Sequence, residues 1–177
     1  FAMQKFRIDY DGNNNLQENA STELTFNIPR HGDLLNDTYL VVTLPNIWSP
    51  IYGDTSDTSI NYYPYEFKWI KNIGTQLIKE VTITIGGRII QKFSGSYIQN
   101  MIERDYNGTK KETFNKMTGN INELHTPEKY ANRNNNYPNA FKTTDNMDIE
   151  PSIEEKQLFI PIHTWFSLLS TSAIPLV

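Results

Sequence analysis

The chain has 177 residues, the size of one folded domain, and 12% of them are aromatic, so the composition excludes a disordered polypeptide. A net charge of −4 argues against nucleic acid as a ligand, and no apolar run reaches the roughly 18 to 20 residues of a membrane-spanning helix. Cysteine is absent, which excludes disulfide bonds and thiolate metal sites within these residues.

Three segments near the start of the chain predict strands. Residues 3–8 and 22–28 alternate apolar and polar side chains, which is the period of a strand with one buried face. Residues 9–15 are rich in Asp, Asn and Gly and predict the turn after the first of these strands. Residues 37–44 are apolar on both faces, so we expect both faces of this strand to be covered. Pro45 ends it, because proline lacks the N–H that a strand ladder needs.

A β-hairpin is predicted in the middle of the chain. Residues 80–85 alternate apolar and polar side chains, and Gly86 and Gly87 separate them from a second run, residues 88–93. Two glycines between two strands are typical of the tight hairpin turns that need positive φ angles. We therefore expect these two runs to pair in an antiparallel hairpin.

A short helix is predicted directly after this hairpin. Apolar side chains recur there at three- and four-residue spacing, in Tyr97, Ile98, Met101 and Ile102. Either Ser94 or Ser96 can cap the first turn with its hydroxyl oxygen. We expect the helix to end near Asp105.

The rest of the chain contains long connections and one further strand. Residues 157–162 predict this strand, and residues 164–170 predict a helix of one or two turns after it. The connections, residues 46–68 and 106–155, are rich in Asn, Tyr, Thr, Asp and Pro, and we expect ordered loops on the outer surface. The aromatic side chains around the first connection, Trp48 and Trp69 among them, are typical of an interface, and core packing explains them almost as well.

The histidines do not predict a catalytic, metal or cofactor site. His31, His125 and His163 are far apart in the sequence. None of them stands in the His-x-His or His-Glu-x-x-His spacing that brings two ligands to one metal ion. We therefore expect no cofactor and no enzymatic activity.

The pattern Asp9-x-Asp11-x-Asn13 begins like a calcium-binding loop, in which alternate oxygen-bearing side chains converge on one ion. An EF-hand would need glycine where Asn14 stands and glutamate where Ala20 stands. A solvated turn is therefore the favoured interpretation, with a structural calcium ion as the alternative.

Three Asn-x-Ser/Thr sequons are candidate glycan acceptors, and they begin at Asn19, Asn36 and Asn107. Asn36 and Asn19 lie beside or near predicted strands. Asn107 lies in a predicted long loop and is the best placed acceptor of the three. A chain this rich in Asn, Ser and Thr also contains sequons by chance, so an unmodified chain is the alternative.

Four segments, in order along the chain, together match one known family. Residues 30–45 combine an Arg-x-Gly-Asp-Leu turn with the strand Tyr-Leu-Val-Val-Thr-Leu-Pro, and residues 69–81 carry Ile-Gly-x-x-Leu-Ile before the Gly-Gly turn. Residues 158–166 carry Ile-Pro-Ile followed by Trp-Phe, and residues 173–176 carry Ile-Pro-Leu. Residues 167–172 depart from the family, which usually has an Asn-Pro-Gly turn there. The set resembles the major capsid proteins of large nucleocytoplasmic double-stranded DNA viruses.

This resemblance implies an all-β fold, an antiparallel jelly-roll sandwich with one or two short helices and long loops. It implies that residues 1–177 are the first, N-terminal jelly roll of a double jelly roll, cut at both ends. Only six or seven strands can be counted, whereas a jelly roll needs about eight. We therefore expect the closing strands and the second jelly roll to lie outside these residues.

The resemblance further implies a structural protein. Three copies would form a pseudo-hexagonal capsomer that tiles an icosahedral shell in the virion, assembled in the host cytoplasm. The implied partners are the homotrimer, neighbouring capsomers and minor capsid proteins, with no direct contact to nucleic acid and no membrane span. Three alternatives stay open: a carbohydrate-binding jelly roll, a single-jelly-roll vertex or minor capsid protein, and an enzyme of the cupin type.

Overall fold

The computed structural model describes residues 3–12, 19–49, 51–54, 61–138 and 151–176, with the backbone alone for 51–54 and 61–64. The strands are β1 (Leu34–Leu35), β2 (Tyr39–Leu44), β3 (Ile51–Asp54), β4 (Asn61–Pro64), β5 (Val81–Ile85), β6 (Arg88–Phe93), β7 (Lys156–Pro161) and β8 (Ile174–Pro175). The helices are α1 (Ile73–Gln76), α2 (Gly95–Asp105), α3 (Gly108–Thr118) and α4 (Asn122–His125), with 3-10 segments at Pro127–Asn132 and Ser170–Ser172. No helix in the described ranges is both long enough and apolar enough to cross a lipid bilayer.

The chain divides into two compact units. The terminal unit comprises Phe1–Asp37 together with Thr164–Val177, and the central unit comprises Thr38–His163. The terminal unit contains β1 and β8, and the central unit contains the other strands and the four α-helices.

The strands of the described residues pair antiparallel in four two-stranded sheets, β1–β8, β2–β7, β3–β4 and β5–β6. The prediction of antiparallel strands together with short helices is therefore confirmed. The described residues do not close a jelly-roll sandwich, which needs about eight strands in two facing sheets.

The β2–β7 pair is the longest sheet and one of its faces forms the main core. Its register runs from Tyr39 opposite Pro161 to Leu44 opposite Lys156. The inner face contributes to a cluster of buried residues formed by Leu44, Ile73, Leu124, Ile153, Leu158 and Ile160. On the outer face Tyr39 and Val41 are exposed, so the prediction that both faces of this strand are covered is wrong for the described residues. The run is apolar enough for two covered faces, but nothing in the described part of the central unit lies over the second one.

The hairpin prediction is confirmed. β5 and β6 pair from Val81 opposite Phe93 to Ile85 opposite Arg88, with a bulge between Ile83 and Thr84. Gly86 and Gly87 have φ angles of 57° and 76°, the left-handed conformation that a two-residue turn of this kind requires.

The helix predicted after the hairpin is confirmed as α2, and its cap is Ser94. The Ser94 side chain accepts a hydrogen bond from the backbone N–H of Tyr97, and the helix ends at Asp105 as expected. Ile98 and Ile102 face inward and pack with Phe93 and Phe114 in a second buried cluster. The local pattern and the cap therefore define this helix.

The two strands predicted near the start of the chain are wrong as regular strands. Residues 22–28 form one isolated bridge, from Thr25 to Asp11, and both Phe26 and Ile28 are exposed. Residues 3–8 contain no strand. A two-residue alternation makes a strand only where a partner strand completes its hydrogen bonds, and the described part of the terminal unit supplies none here.

The described part of residues 106–155 is more regular than the ordered surface loop predicted from the sequence. They contain α3, α4 and a 3-10 segment, so the count of one or two helices was too low. α3 buries only Phe114 and Thr118. A helix with such a small buried face has almost no apolar repeat every three to four residues, so the sequence pattern does not indicate it. The prediction for residues 139–150 lies outside the described residues, and residues 46–68 contain the β3–β4 hairpin.

The strand predicted at residues 157–162 is confirmed as β7, one residue earlier. The helix predicted at residues 164–170 is wrong, because the segment forms a turn followed by a 3-10 segment. The Ser167 hydroxyl accepts from the Thr164 N–H at 3.0 Å and donates to the Thr164 carbonyl oxygen at 3.0 Å. These local side-chain bonds compete with helical ones and close the turn instead.

Candidate functional site

The three histidines lie in different surroundings. The His31 ring lies 5.1 Å from the Phe6 ring in the terminal unit. In the central unit His163 Nε2 is 3.3 Å from the Tyr106 hydroxyl, and His125 ends α4. Within the described ranges no three His, Cys, Asp or Glu side chains are placed to hold a metal ion.

The pKa of His125 is lowered, but its surroundings are not those of a catalytic residue. Burial, and then the positive charge of Lys71, lower its pKa, against an opposing effect of Glu128. Its Nδ1 atom and the indole Nε1 of Trp69 are both buried and have no hydrogen-bond partner among the described residues. The backbone N–H of Trp69 donates a hydrogen bond to the Leu124 carbonyl oxygen at 2.9 Å, and this bond joins the segment before α1 to α4. Trp69 packs against the main core cluster, which contains Leu124.

The carboxylates of the calcium-like pattern bind neighbouring side chains. Asp9 forms an ion pair with Arg7 at 2.9 Å, and Asp11 accepts a hydrogen bond from the Asn27 side chain. Asn13, the third residue of the pattern, lies outside the described residues. The Asp9 carboxylate is therefore bound to Arg7 and the Asp11 carboxylate to Asn27, so the described contacts do not join them at one site.

Asn107, the predicted glycan acceptor, is the N-cap of α3. Its side-chain oxygen accepts a hydrogen bond from the Lys110 N–H at 3.1 Å, and the residue is exposed. Asn19 is also exposed, whereas the side-chain oxygen of Asn36 is buried. Asn107 thus presents its amide at an exposed helix start.

A buried polar cluster around Tyr137 was missed by sequence reasoning. The Tyr137 hydroxyl donates to the Phe67 carbonyl oxygen at 2.7 Å, accepts from the Phe67 N–H at 3.1 Å, and lies 3.0 Å from the Ser49 hydroxyl. The Ser49 N–H donates to the Ser152 hydroxyl oxygen at 3.2 Å. Four segments that are distant in the sequence meet in this cluster, and no spacing pattern in the sequence predicts the contact.

Three of the four segments that carry the family resemblance pair as strands, and the second packs in the main core. In the terminal unit, Leu34 lies opposite Pro175, and the Leu176 N–H donates to the Asp33 carbonyl oxygen at 2.9 Å. In the central unit the strand of the first segment, β2, pairs along its whole length with the strand of the third, β7. Ile73, from the second segment, packs in the same core cluster.

Exposed apolar side chains also occur at one further place in each unit, among the described residues. In the terminal unit the turn after Thr164 buries Phe166 and leaves Leu168 and Leu169 59% and 64% exposed; we call it the Leu168 turn. In the central unit the end of the β5–β6 hairpin exposes Ile85 on one face and Ile89 on the other. Neighbouring exposed leucines, as in the Leu168 turn, are typical of surfaces that bind another protein.

The chain is similar to capsid proteins of several viruses. It is 28% identical to "Capsid protein 1" of Acanthamoeba polyphaga mimivirus over 179 residues, covering 100% of this chain and 26% of that protein. It is 26% identical to the "Major capsid protein" of Phaeocystis pouchetii virus over 180 residues, covering 100% of this chain and 32% of that protein. The "Major capsid protein" of Tipula iridescent virus is 28% identical over 106 residues, which are 59% of this chain and 21% of that protein.

The chain thus spans about a quarter to a third of the first two relatives. No solved structure matches it. The family described as "Major capsid protein N-terminus" matches residues 1–177, the whole of the chain. The chain therefore belongs to the family of major capsid protein N-termini.

Proposed function

We propose that this chain is the N-terminal part of a structural capsid protein of a large DNA virus. The observation that carries the proposal is the family match over residues 1–177, together with similarity to capsid proteins over the full chain. The described structure fits this role, since it contains paired antiparallel strands and exposed apolar side chains. The protein acts by assembling and not by catalysing a reaction.

We infer that residues 1–177 belong to the first jelly roll of a double jelly roll. In a jelly roll, strands from the two ends of the domain pair antiparallel and the next strands inward pair in turn. The pairs β1–β8 and β2–β7 follow this order. The β3–β4 and β5–β6 pairs are local hairpins, and the second jelly roll follows in a protein of the relatives' length.

We infer that three copies form a pseudo-hexagonal capsomer of an icosahedral shell in the virion. Its partners are neighbouring capsomers and minor capsid proteins, and assembly takes place in the host cytoplasm. The exposed Leu168 turn supplies apolar surface for contacts between copies. A closed ring of three identical chains needs two different patches on each copy, and we propose this turn as one of them.

Native mass spectrometry of the full-length gene product tests this function. We expect a chain at least about twice as long as this one, as a jelly-roll pair requires, that assembles as a trimer. A full-length product of the present 20.5 kDa that stays monomeric would overturn the double jelly roll and the capsomer together. A pentamer of such a short chain would instead indicate a vertex protein with a single jelly roll.

We also propose Asn107 as a glycan acceptor in the virion. The mass of the purified virion protein should exceed that of the bare sequence, and the excess should map to the peptide with Asn107. Asn107→Asp is the sharpest variant, because aspartate caps a helix as well as asparagine but accepts no N-linked glycan. The glycan should disappear while the stability of the protein stays the same. A virion protein with the bare mass would rule the site out.

A further inference from the structure

The step from Asn107 to Gly108 is the one place in the sequence where asparagine is followed by glycine. A backbone nitrogen can attack the side-chain carbonyl carbon of the asparagine that precedes it, and a side chain on the attacking residue hinders the approach. Glycine has no Cβ atom, so the approach is open and the backbone adopts the conformation that the attack needs. Asn107 is therefore the asparagine of this chain whose side chain a backbone nitrogen reaches most easily.

The structure leaves the attacking nitrogen free. Gly108 is the first residue of α3, and the first N–H groups of a helix have no acceptor within the helix. Among the described residues the Gly108 N–H donates no hydrogen bond. Apart from its chain neighbours, no atom lies within 4 Å of the position that a Cβ atom of Gly108 would occupy. The nitrogen therefore has no competing acceptor, and there is room beside it.

The backbone must rotate at Asn107 before the attack. Its ψ angle is 172°, and its side-chain oxygen accepts a hydrogen bond from the Lys110 N–H at 3.1 Å. The Gly108 nitrogen reaches the Asn107 Cγ atom when the first turn of α3 unwinds and this cap opens. A cap of this kind changes the population of the open turn by roughly five- to tenfold, so it slows the attack without preventing it.

Little else holds the first turn of α3 closed. The buried residues of this helix are Phe114 and Thr118, and both lie after the first turn. The ion pair between Lys111 and Glu103, at 2.7 Å, is partly exposed and adds little. Helix ends with few buried contacts are the parts of a fold that open most readily. Asn107 is also exposed, so water has access to the site.

We propose that Asn107 deamidates spontaneously in the folded protein. The Gly108 nitrogen gives up its proton and bonds to the Asn107 Cγ atom, and the bond between Cγ and Nδ2 breaks. The side-chain nitrogen leaves as ammonia and takes up the proton, and a cyclic succinimide remains. Water then opens the ring at one of its two carbonyl carbons, which gives aspartate or isoaspartate at position 107. Water is the only co-reactant.

This reaction changes two properties of the site. Isoaspartate adds a methylene group to the main chain at the start of α3 and so displaces the carboxylate from the Lys110 N–H. Both products also lack the amide nitrogen that an N-linked glycan needs. Deamidation and the proposed glycan therefore compete for Asn107. The chemistry itself depends neither on the glycan nor on the proposed capsid function.

Peptide mapping of the full-length protein tests the proposal. Protein made in bacteria, without a glycan, is incubated at mildly alkaline pH, where the attacking nitrogen loses its proton more readily. Mass spectrometry follows the amide-to-acid mass gain at each asparagine, and electron-transfer fragmentation distinguishes isoaspartate from aspartate. Asn122 is the matched control in the same molecule, because it is exposed and begins α4 but is followed by Glu123. We expect conversion at Asn107 to be at least about tenfold faster than at Asn122, with isoaspartate as the main product.

Gly108→Ala supplies a second measurement. Alanine is a better helix former than glycine, so the variant should stay folded, while its Cβ atom should slow the conversion of Asn107 at least about tenfold. Equal rates at Asn107 and Asn122, or an unchanged rate in Gly108→Ala, would contradict the proposal. A folded protein that keeps Asn107 intact while the urea-unfolded protein converts would show that the cap of α3 closes the site. That result would also overturn the inference, and it would leave the trimer in native mass spectra unaffected.

Discussion

The Tyr137 hydroxyl donates its only proton to the Phe67 carbonyl oxygen, at 2.7 Å, and receives the Phe67 N–H at 3.1 Å. The Ser49 hydroxyl, 3.0 Å away, must therefore be the donor in its own contact with Tyr137. One phenol thus satisfies a backbone donor, a backbone acceptor and a buried hydroxyl. It joins segments that are 70 and 88 residues apart in the chain.

Removal of this hydroxyl should destabilise the protein. Tyr137→Phe leaves the Phe67 backbone groups and the Ser49 hydroxyl without their partner, and we expect a loss of about 2 to 3 kcal/mol in the free energy of unfolding. Urea unfolding of the full-length protein measures it. Tyr130→Phe is the matched control, because Tyr130 is 43% exposed and should change stability by less than about 0.5 kcal/mol. Equal effects of the two variants would contradict this account of Tyr137.

Two glycines that begin helices of equal length should respond differently to alanine. A Cβ atom at Gly95, the first residue of α2, would overlap the Thr75 carbonyl oxygen and lie 2.7 Å from the Ile78 carbonyl oxygen. We expect Gly95→Ala to cost about 3 kcal/mol or more, because backbone atoms cannot move aside as side chains do. Gly108 begins α3 and has no atom within 4 Å of the same position.

Gly108→Ala is therefore the control, and we expect a neutral or slightly stabilising effect on thermal unfolding. The two melting temperatures, measured side by side, check the prediction. A stable Gly95→Ala protein would mean that α1 and α2 lie further apart than the structure places them.

The helix cap of α2 should contribute a smaller amount. Ser94→Ala removes the acceptor for the Tyr97 N–H, and we expect a loss of about 1 kcal/mol in the free energy of unfolding. Ser96→Ala lies inside the same helix on its exposed side and should be neutral, since alanine is the better helix former. The sequence left these two serines as alternatives for the cap, and chemical denaturation of both variants tests the choice directly.

His125 should make stability depend on pH. Burial, and secondly Lys71, lower its pKa in the folded protein below the ordinary value near 6.5, so the unfolded chain takes up a proton first as the pH falls. This contribution to stability is complete above about pH 6.5 and is lost progressively as the pH falls from there towards the folded pKa. His125→Asn should lose less stability than the native sequence between pH values of about 7.5 and 5.5. Equal losses in urea unfolding at the two pH values would contradict the role of His125.

The Leu168 turn should matter for assembly and not for folding. Leu168→Asp with Leu169→Asp places two charges on side chains that are 59% and 64% exposed, so the fold should persist while the proposed trimer weakens. Leu77→Asp is the control, since Leu77 is 52% exposed but stands outside this turn. Size-exclusion chromatography with light scattering reports the trimer fraction of each variant. A full trimer in the double variant would exclude this turn from the contact between copies.

The elements that sequence reasoning predicted correctly depend on near neighbours. The turn at Gly86 and Gly87 and the helix capped by Ser94 are decided within a few residues, through φ angles, caps and side-chain period. The strands β2 and β7 were also predictable, because long apolar runs ending at proline indicate strands whatever their partner. These features are local properties of the polypeptide.

Tertiary structure decided the rest. The alternation in residues 22–28 did not become a regular strand, and Asn107 began a helix that buries only two residues, because both outcomes depend on what packs beside them. The Tyr137 cluster joins residues that no spacing rule connects. Apolar sequence by itself determined that β2 could be covered on both faces. Which face is covered was decided by packing, because burial needs a partner surface and that partner is distant in the chain.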